Sequence, residues 1–157
     1  MRFKSARHVR ERGFTLIELM MVMIIIGALA ALTVITFSGQ TEKARDVQRK
    51  SDIRQYQAGL ETYANRANGL YPAANPGAVN PSSLCSTLGL SGCPNDPTSG
   101  SNYQYKTNST PTRYVLWAFL ERPSTNDVFV LCSDGKTGQM LGSAFTGVDN
   151  NATCPLP

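Results

Sequence analysis

The chain has 157 residues, of which 41% are hydrophobic and 17% charged, and it carries a formal net charge of +4. The length is typical of one domain, and the apolar content excludes a wholly disordered chain. Residues 1–13 hold five basic side chains and one acidic side chain, whereas residues 14–157 hold ten of each kind. Because the body of the chain is neutral, no specific nucleic acid is predicted as a partner.

The single histidine, His8, lies within this basic leader. If the leader is removed, the remaining protein has no histidine, which excludes Ser-His-Asp and Cys-His catalytic sites and histidine metal ligands. The sequence shows no motif for another catalytic site, so we predict that the protein is not an enzyme. A signal-anchored extracytoplasmic enzyme or ligand-binding protein is the alternative from a different class.

An apolar run occupies residues 14–37 and predicts a membrane helix. At ~1.5 Å per residue a helix of this length reaches ~36 Å, and the hydrocarbon core of a bilayer is ~30 Å thick. The run is apolar on all sides, which argues against a buried core helix. Because basic residues precede it, the positive-inside rule predicts a single-pass protein of the cytoplasmic membrane, with its N-terminus in the cytoplasm and residues 38–157 outside.

A cleaved secretory signal peptide is the alternative interpretation of the same run. Ala28 and Ala30 supply the small residues of a cleavage site, and the mature chain would then begin at Ala31. The apolar run continues past this site to Phe37, and Glu18 lies inside the segment that should be apolar. Both features favour a retained membrane helix.

Glu18 is the acidic residue of the run, and its position predicts a functional role. A carboxylate at the centre of a membrane helix costs about 2.5–3.5 kcal/mol on insertion scales, so such residues are usually paired. A cut between Gly13 and Phe14 leaves an ammonium group on Phe14, one helical turn before Glu18. A carboxylate near a helix N-terminus also interacts favourably with the helix dipole.

A signal sequence is recognisable around these residues. The basic leader, the segment Arg12-Gly13-Phe14-Thr15-Leu16-Ile17-Glu18 and the long apolar run together resemble the class III signal of type IV pilins and pseudopilins. The resemblance implies that a prepilin peptidase removes residues 1–13 by cutting after Gly13 and then methylates the new N-terminal Phe14. It also implies that Glu18, the fifth mature residue, supports subunit docking in a filament.

Residues 40–68 are rich in charged side chains and predict an amphipathic helix. Steps of three and four place five apolar residues on one helix face: Ile53, Tyr56, Leu60, Tyr63 and Ala67. We expect this face to pack on a β-sheet of the same chain, and we expect most of the charges to be solvated. Asp46 and Lys50 have the spacing of a favourable ion pair.

The sequence also predicts that this helix continues the apolar run. No proline occurs from Phe14 to Tyr71, so one uninterrupted helix can extend from Phe14 to Asn68. Gly69 is then the left-handed residue after the helix, and Pro72 stops it.

The rest of the chain predicts a short helix and three strands. Residues 69–112 are loop-rich, with a short helix at 84–90 and a turn at 95–97. Three segments have the composition of strands: residues 103–106, 113–121 and 128–132. Both faces of the middle strand are apolar, so we expect one face on the helix and the other under loops or a neighbour. The predicted fold is α+β, with a long N-terminal helix packed on a small antiparallel sheet, as in pilins.

Four cysteines lie in the part predicted to be outside the cytoplasm: Cys85, Cys93, Cys132 and Cys154. An even number in an oxidising compartment predicts two disulfides, for which three connectivities are possible. We favour the short-loop pairing, Cys85–Cys93 with Cys132–Cys154, whose second bridge is similar to the C-terminal disulfide loop of many pilins. No Cys-x-x-Cys spacing occurs, which argues against a zinc site.

We predict no cofactor, with a calcium ion as the one alternative. The resemblance to major pseudopilins of type II secretion implies calcium in the C-terminal loops. Here Asp134 and Asp149 are the only side-chain carboxylates that follow Asp127. Hard cations bind several oxygen ligands, so this sparse set argues against a metal ion.

The predicted function is that of a structural subunit of a type IV pilus-like filament. The precursor is anchored in the membrane and polymerises through residues 14–37 into an extracytoplasmic or cell-surface filament. The resemblance implies identical subunits, a prepilin peptidase, an assembly ATPase and inner-membrane platform proteins as partners, with membrane lipid around the helix before assembly. The alternative within the superfamily is the major pseudopilin of a type II secretion system. A looser resemblance to those proteins lies in Asn68-Gly69-Leu70-Tyr71-Pro72, Asp96-Pro97 and Tyr103-Gln104-Tyr105.

Overall fold

The structure is a computed structural model that describes residues 13–34, 39–98, 103–123 and 127–157. Residues 1–12 of the basic leader and residues 35–37 of the apolar run lie outside the described residues. The predicted boundaries at residues 13 and 37 therefore stay predictions. The chain divides into one unit that ends at Gly39 and a second unit from Gln40 to Pro157.

The first unit contains helix α1, Leu16–Val34. Among the described residues, no helix is both long enough and apolar enough to span a membrane. The single helix that we predicted from Phe14 to Asn68 is interrupted at Gly39, whose φ of 94° does not occur in a right-handed helix. Glycine adopts this left-handed value without steric cost because it has no Cβ atom.

The second unit begins with helix α2, Gln40–Arg66, which carries the predicted apolar face. Ile53, Tyr56 and Leu60 are fully buried, and Tyr63 packs against them from a partly buried position. The helix ends two residues earlier than predicted, because Asn68 already has a left-handed φ of 54°. The Gly69 N–H then donates a hydrogen bond to the Ala64 carbonyl at 2.8 Å, which closes the helix end.

A short helical segment follows within the long loop region. A 3₁₀ turn, Pro81–Leu84, leads into α3, Cys85–Leu88. The Asn80 side chain caps the 3₁₀ turn by accepting a hydrogen bond from the Ser82 N–H, and Gly89 ends α3 with a φ of 68°. The helix predicted at residues 84–90 is therefore present in a shorter form.

Within the part of the chain that the structure describes, four antiparallel strands form one sheet in the order β1-β2-β3-β4. They comprise β1 Tyr103–Thr107, β2 Tyr114–Phe119, β3 Val128–Cys132 and β4 Thr137–Met140. The three predicted strands are confirmed, and β3 has the predicted bounds. Strand β4 was not predicted, because Thr-Gly-Gln-Met lacks apolar alternation; its residues pair with β3 across a tight turn.

The sheet is covered on both faces, as the two apolar faces of β2 predicted. The α2 side holds Leu116 and Ala118 of β2 against the apolar face of α2. The opposite side holds Val115 and Trp117 against the C-terminal segment. The C-terminal residues that cover this outer face are Phe145, Val148, Ala152, Cys154 and Leu156.

Both predicted disulfides are present. Cys85 pairs with Cys93 across a Cα–Cα distance of 5.9 Å, and Cys132 pairs with Cys154 across 5.7 Å. The first bridge closes the loop around α3, and the second attaches the C-terminal segment to the end of β3. The described residues include no free cysteine.

We expect the Cys132–Cys154 bridge to stabilise the folded protein. Replacing both cysteines by serine should lower the free energy of unfolding by about 3 kcal/mol, because the bridge closes a loop of 22 residues in the unfolded chain. Chemical denaturation of the variant and the parent protein measures this difference. A variant as stable as its parent would show that the bridge does not hold the C-terminal segment in place.

Candidate assembly site

The predicted processing and assembly residues lie at the start of α1. Thr15 is the residue immediately before the helix, and Glu18 lies in its first turn. The Glu18 Oε2 atom accepts hydrogen bonds from the Thr15 backbone N–H at 3.0 Å and from the Thr15 hydroxyl at 2.8 Å. The Glu18 N–H in turn donates to the Thr15 Oγ1 at 3.3 Å. This reciprocal arrangement is a capping box, which satisfies backbone N–H groups that the helix start would leave unpaired.

The capping box fixes where the helix begins. Gly13 and Phe14 precede it and have no regular secondary structure, so the bond predicted to be cut lies outside the helix. The Phe14 side chain is 88% exposed. A processing enzyme that binds extended chain therefore has access to this bond without first unfolding a helical turn.

From Leu16 to Ala31, α1 presents apolar side chains on all sides, with Glu18 as the charged exception. From Leu16 to Ala31 each residue is exposed, including the large side chains of Ile17, Met20, Ile24 and Leu29. An apolar surface of this extent is not stable in water, so it requires lipid or other apolar helices as its surroundings. In such surroundings Glu18 already has local hydrogen-bond donors in Thr15, but its negative charge has no counter-ion among the described residues.

In the second unit, a buried ion cluster attaches α2 to the segments around it. The Arg49 side chain is only 1% exposed and lies within ion-pair distance of three carboxylates. Its guanidinium contacts Asp46 at 2.8 Å, Asp96 at 2.7 Å and Glu121 at 2.7 Å. Arg45 forms a second ion pair with Glu121. The cluster thereby joins α2, the turn at residues 95–97 and the chain that follows β2.

Two carboxylates of this cluster, Asp96 and Glu121, are held in the charged state. Burial raises the pKa of Asp96, but hydrogen bonds from Arg49 and Thr98 outweigh burial and lower the pKa to about 2. Hydrogen bonds from Arg45 and Arg49 likewise lower the pKa of Glu121 to about 2. Asp46 accepts additional hydrogen bonds from the backbone N–H groups of Glu121 and Arg122, both at 2.9 Å.

Two tyrosines of the sheet bind further carboxylates of α2. The Tyr103 hydroxyl donates to Asp52 at 2.6 Å, and the Tyr114 hydroxyl donates to Glu61 at 2.8 Å. Burial and the neighbouring carboxylate raise the pKa of each tyrosine well above its usual value, so both remain donors at neutral pH. These bonds attach the buried face of α2 to β1 and β2.

One sequence expectation about the charges of α2 was wrong. The predicted pair of Asp46 with Lys50 is not formed, because Asp46 bonds to Arg49 while the Lys50 ammonium contacts Gln139 at 3.2 Å. Most of the α2 charges are at least partly exposed, as expected, and the two exceptions are Asp46 and Arg49, which are buried. The Thr15–Glu18 spacing matches the capping-box pattern and was a readable signal for the helix start. No comparable local signal marks Arg49, because Asp96 and Glu121 lie far from it in the chain.

The C-terminal acidic residues do not fit a calcium site. Asp134 caps its own turn by accepting the Lys136 N–H at 3.0 Å, and Asp149 accepts both the N–H and the hydroxyl of Thr153 at 2.8 Å. Among the described residues, the group with metal-ligand geometry consists of Cys132, Asp134 and Cys154. The two sulfur atoms are bonded to each other, so this group retains one carboxylate as a ligand.

The N-terminal signal is also found in known proteins. A family model described as a prokaryotic N-terminal methylation motif matches residues 9–34. This match includes Gly13, Phe14 and Glu18. No solved structure matches the chain.

Several curated relatives are named type II secretion system core protein G. The protein from Pseudomonas aeruginosa is 30% identical over 153 residues, which cover 91% of this chain and 92% of the relative. The protein from Vibrio cholerae is 30% identical over 138 residues, or 82% of this chain and 85% of the relative. The match to the protein from Pectobacterium carotovorum is 41% identical but covers 68 residues, which is 43% of each chain. In short matches such as this one, the chain spans less than half the length of the relative.

Proposed function

Because the chain belongs to the superfamily of type IV pilins and type II secretion pseudopilins, we propose that it is the structural subunit of a type IV pilus-like filament. The observation that carries this proposal is the start of α1. A capped helix with an apolar surface begins at Leu16, two residues beyond Phe14. The family motif at residues 9–34 supports the same assignment.

In the proposed sequence of events, a prepilin peptidase cuts after Gly13 and methylates the Phe14 nitrogen. The precursor is held in the cytoplasmic membrane by residues 14–37, with its basic leader in the cytoplasm and residues 38–157 outside. An assembly ATPase and inner-membrane platform proteins then move the subunit from lipid into the filament. The exposed bond between Gly13 and Phe14 and the apolar surface of α1 support these steps.

Assembly brings the apolar helix from lipid into a bundle of identical helices. This transfer exchanges one apolar medium for another, so the hydrophobic effect contributes little to it. Specificity then depends on packing and on charge pairing. We propose that the Glu18 carboxylate binds the Phe14 ammonium of a neighbouring subunit, because Thr15 supplies hydrogen-bond donors to Glu18 but no positive charge.

A second candidate is the major pseudopilin of a type II secretion system, whose filament is a short pseudopilus. The specific observation in its favour is that relatives spanning most of this chain are named core protein G of that system. The genes beside this one distinguish the two candidates. Secretion-platform genes without a retraction ATPase favour the pseudopilus, and a retraction ATPase gene favours a surface pilus.

The experiment that tests the proposed function is recovery of the chain in a sheared-filament fraction. The host expresses the chain with a prepilin peptidase, an assembly ATPase and platform proteins. We expect the chain in the sheared fraction when the peptidase is present and its near-complete loss when the peptidase is omitted. Equal recovery without the peptidase would show that assembly does not depend on cleavage at the class III signal.

A further inference from the structure

The C-terminal segment is bound to the sheet through a buried lysine. Lys106 lies in β1 and is only 8% exposed. Its ammonium donates hydrogen bonds to the Val148 carbonyl at 2.8 Å and to the Asn150 side-chain oxygen at 3.1 Å. Among the described residues, no carboxylate forms an ion pair with it within 4.0 Å. A buried ammonium group without a carboxylate partner needs other hydrogen-bond acceptors, and the loop at residues 148–153 supplies two oxygen atoms.

The loop around this ammonium is held closed by its own hydrogen bonds. The Asn75 amide donates to the Asn150 carbonyl and to the Thr107 carbonyl, both at 2.9 Å. Asp149 closes the next turn through its two hydrogen bonds with Thr153. These contacts fix the backbone at Asp149 and Asn150, next to the two oxygen atoms that bind the ammonium.

Carbonyl and carboxamide oxygens that converge on a positive charge are the ligands that a hard metal cation takes. In this loop the positive charge that these oxygen atoms bind is the ammonium group of Lys106. The carboxylates that would favour a divalent ion are used elsewhere, since Asp149 binds Thr153 and Asp134 caps the turn before β4. Hydrogen bonds from Thr153 lower the pKa of Asp149, and the positive charge of Lys106 lowers it further.

We propose that the Lys106 ammonium is the structural cation of the C-terminal loop and takes the place of a bound calcium ion. The lysine and the Cys132–Cys154 bridge then fix the C-terminal segment at two points. Between these points lies Ala152, which packs on the outer face of the sheet together with Val115 and Trp117. The fold of the second unit consequently does not depend on free calcium.

Thermal unfolding of the full-length chain in detergent tests this proposal in two ways. For the wild type, millimolar calcium chloride and the chelator EGTA should give the same Tm within about 1 °C, because an ion that binds the folded state raises Tm. Lys106→Met keeps the length of the side chain and removes the ammonium. It should lower Tm by about 5–10 °C, since it leaves buried oxygen atoms without a donor.

Lys43→Met is the matched control, because it makes the same chemical change at an exposed position of α2. We expect its Tm to stay within about 1 °C of the wild type. Asn150→Ala removes one oxygen ligand and should give a smaller decrease than Lys106→Met, which keeps the test informative if Lys106→Met does not fold. A wild-type Tm that rises by several degrees with calcium would overturn the proposal. A Lys106→Met variant as stable as Lys43→Met would do so as well.

Discussion

Replacing Arg49 by methionine is expected to lower the free energy of unfolding by about 3–5 kcal/mol, because it leaves buried carboxylates without their cation. Arg49 is the one group that contacts Asp46, Asp96 and Glu121 at once among the described residues. Asp96 loses its two contacts with the Arg49 guanidinium, and among the described residues Thr98 remains as its hydrogen-bond donor. Urea denaturation of the variant and the wild type gives the difference.

Arg113→Met is the matched control for this measurement. Arg113 is exposed immediately before β2, so the same change there should alter the free energy of unfolding by less than about 0.5 kcal/mol. Equal losses in the two variants would mean that the effect comes from the loss of any arginine and not from the buried cluster.

The same cluster predicts how stability depends on pH. The pKa values of Asp96 and Glu121 are lowered to about 2 in the folded protein, below their usual values of 3.8 and 4.5. Their contribution to stability is therefore fully present above about pH 5 and is lost as the pH falls towards 2. Asp52 acts in the opposite direction, because burial raises its pKa. We expect a net loss of stability in acid for the wild type, and a weaker loss for Arg49→Met.

Replacing Glu18 by glutamine is expected to reduce the yield of sheared filaments about tenfold or more, because a charge-assisted hydrogen bond contributes about 1.5–3 kcal/mol. Glutamine retains the side-chain oxygen that accepts the Thr15 N–H, so the capping box and the helix start are preserved. The variant removes only the negative charge. Glu18→Ala removes the charge and the cap, and its yield should be at least as low.

Two controls separate charge from helix capping. Thr15→Ala removes the cap and keeps the charge, and losing a cap costs about 1 kcal/mol. We expect this variant to assemble better than Glu18→Gln. The ratio of mature chain to precursor should be close to wild type in all three variants, because Gly13 and Phe14 are unchanged. Wild-type assembly by Glu18→Gln would contradict the charge-pairing mechanism.

The features that the sequence predicted correctly are those with a local pattern. The apolar face of α2 through Ile53, Tyr56 and Leu60 follows helical spacing, and β2 has an apolar face on either side. The disulfide pairing that is present is the short-loop one that we favoured among the three possible connectivities. Each of these patterns lies within a short stretch of chain, so it can be recognised without knowledge of the folded structure.

The features that the sequence did not predict depend on partners from distant segments. Arg49 is buried because the turn that contains Asp96, 47 residues later in the chain, packs against it. Lys106 is buried because a loop 42 residues later encloses its ammonium. Strand β4 has little strand character of its own and forms by pairing with β3. Gly39 interrupts a helix that composition alone would continue, because glycine tolerates both helical and left-handed backbone conformations.

The most direct test of the central claim is the N-terminal residue of the chain in the sheared-filament fraction, determined by intact mass and N-terminal sequencing. A filament subunit made from a prepilin should begin at Phe14, with a mass increased by one methyl group on its nitrogen. Glu18 and the complete apolar run are then present in the assembled protein. A chain that begins at Ala31 would contradict the account, because the apolar run would have served as a secretory signal peptide, and Glu18 would be absent from the mature protein.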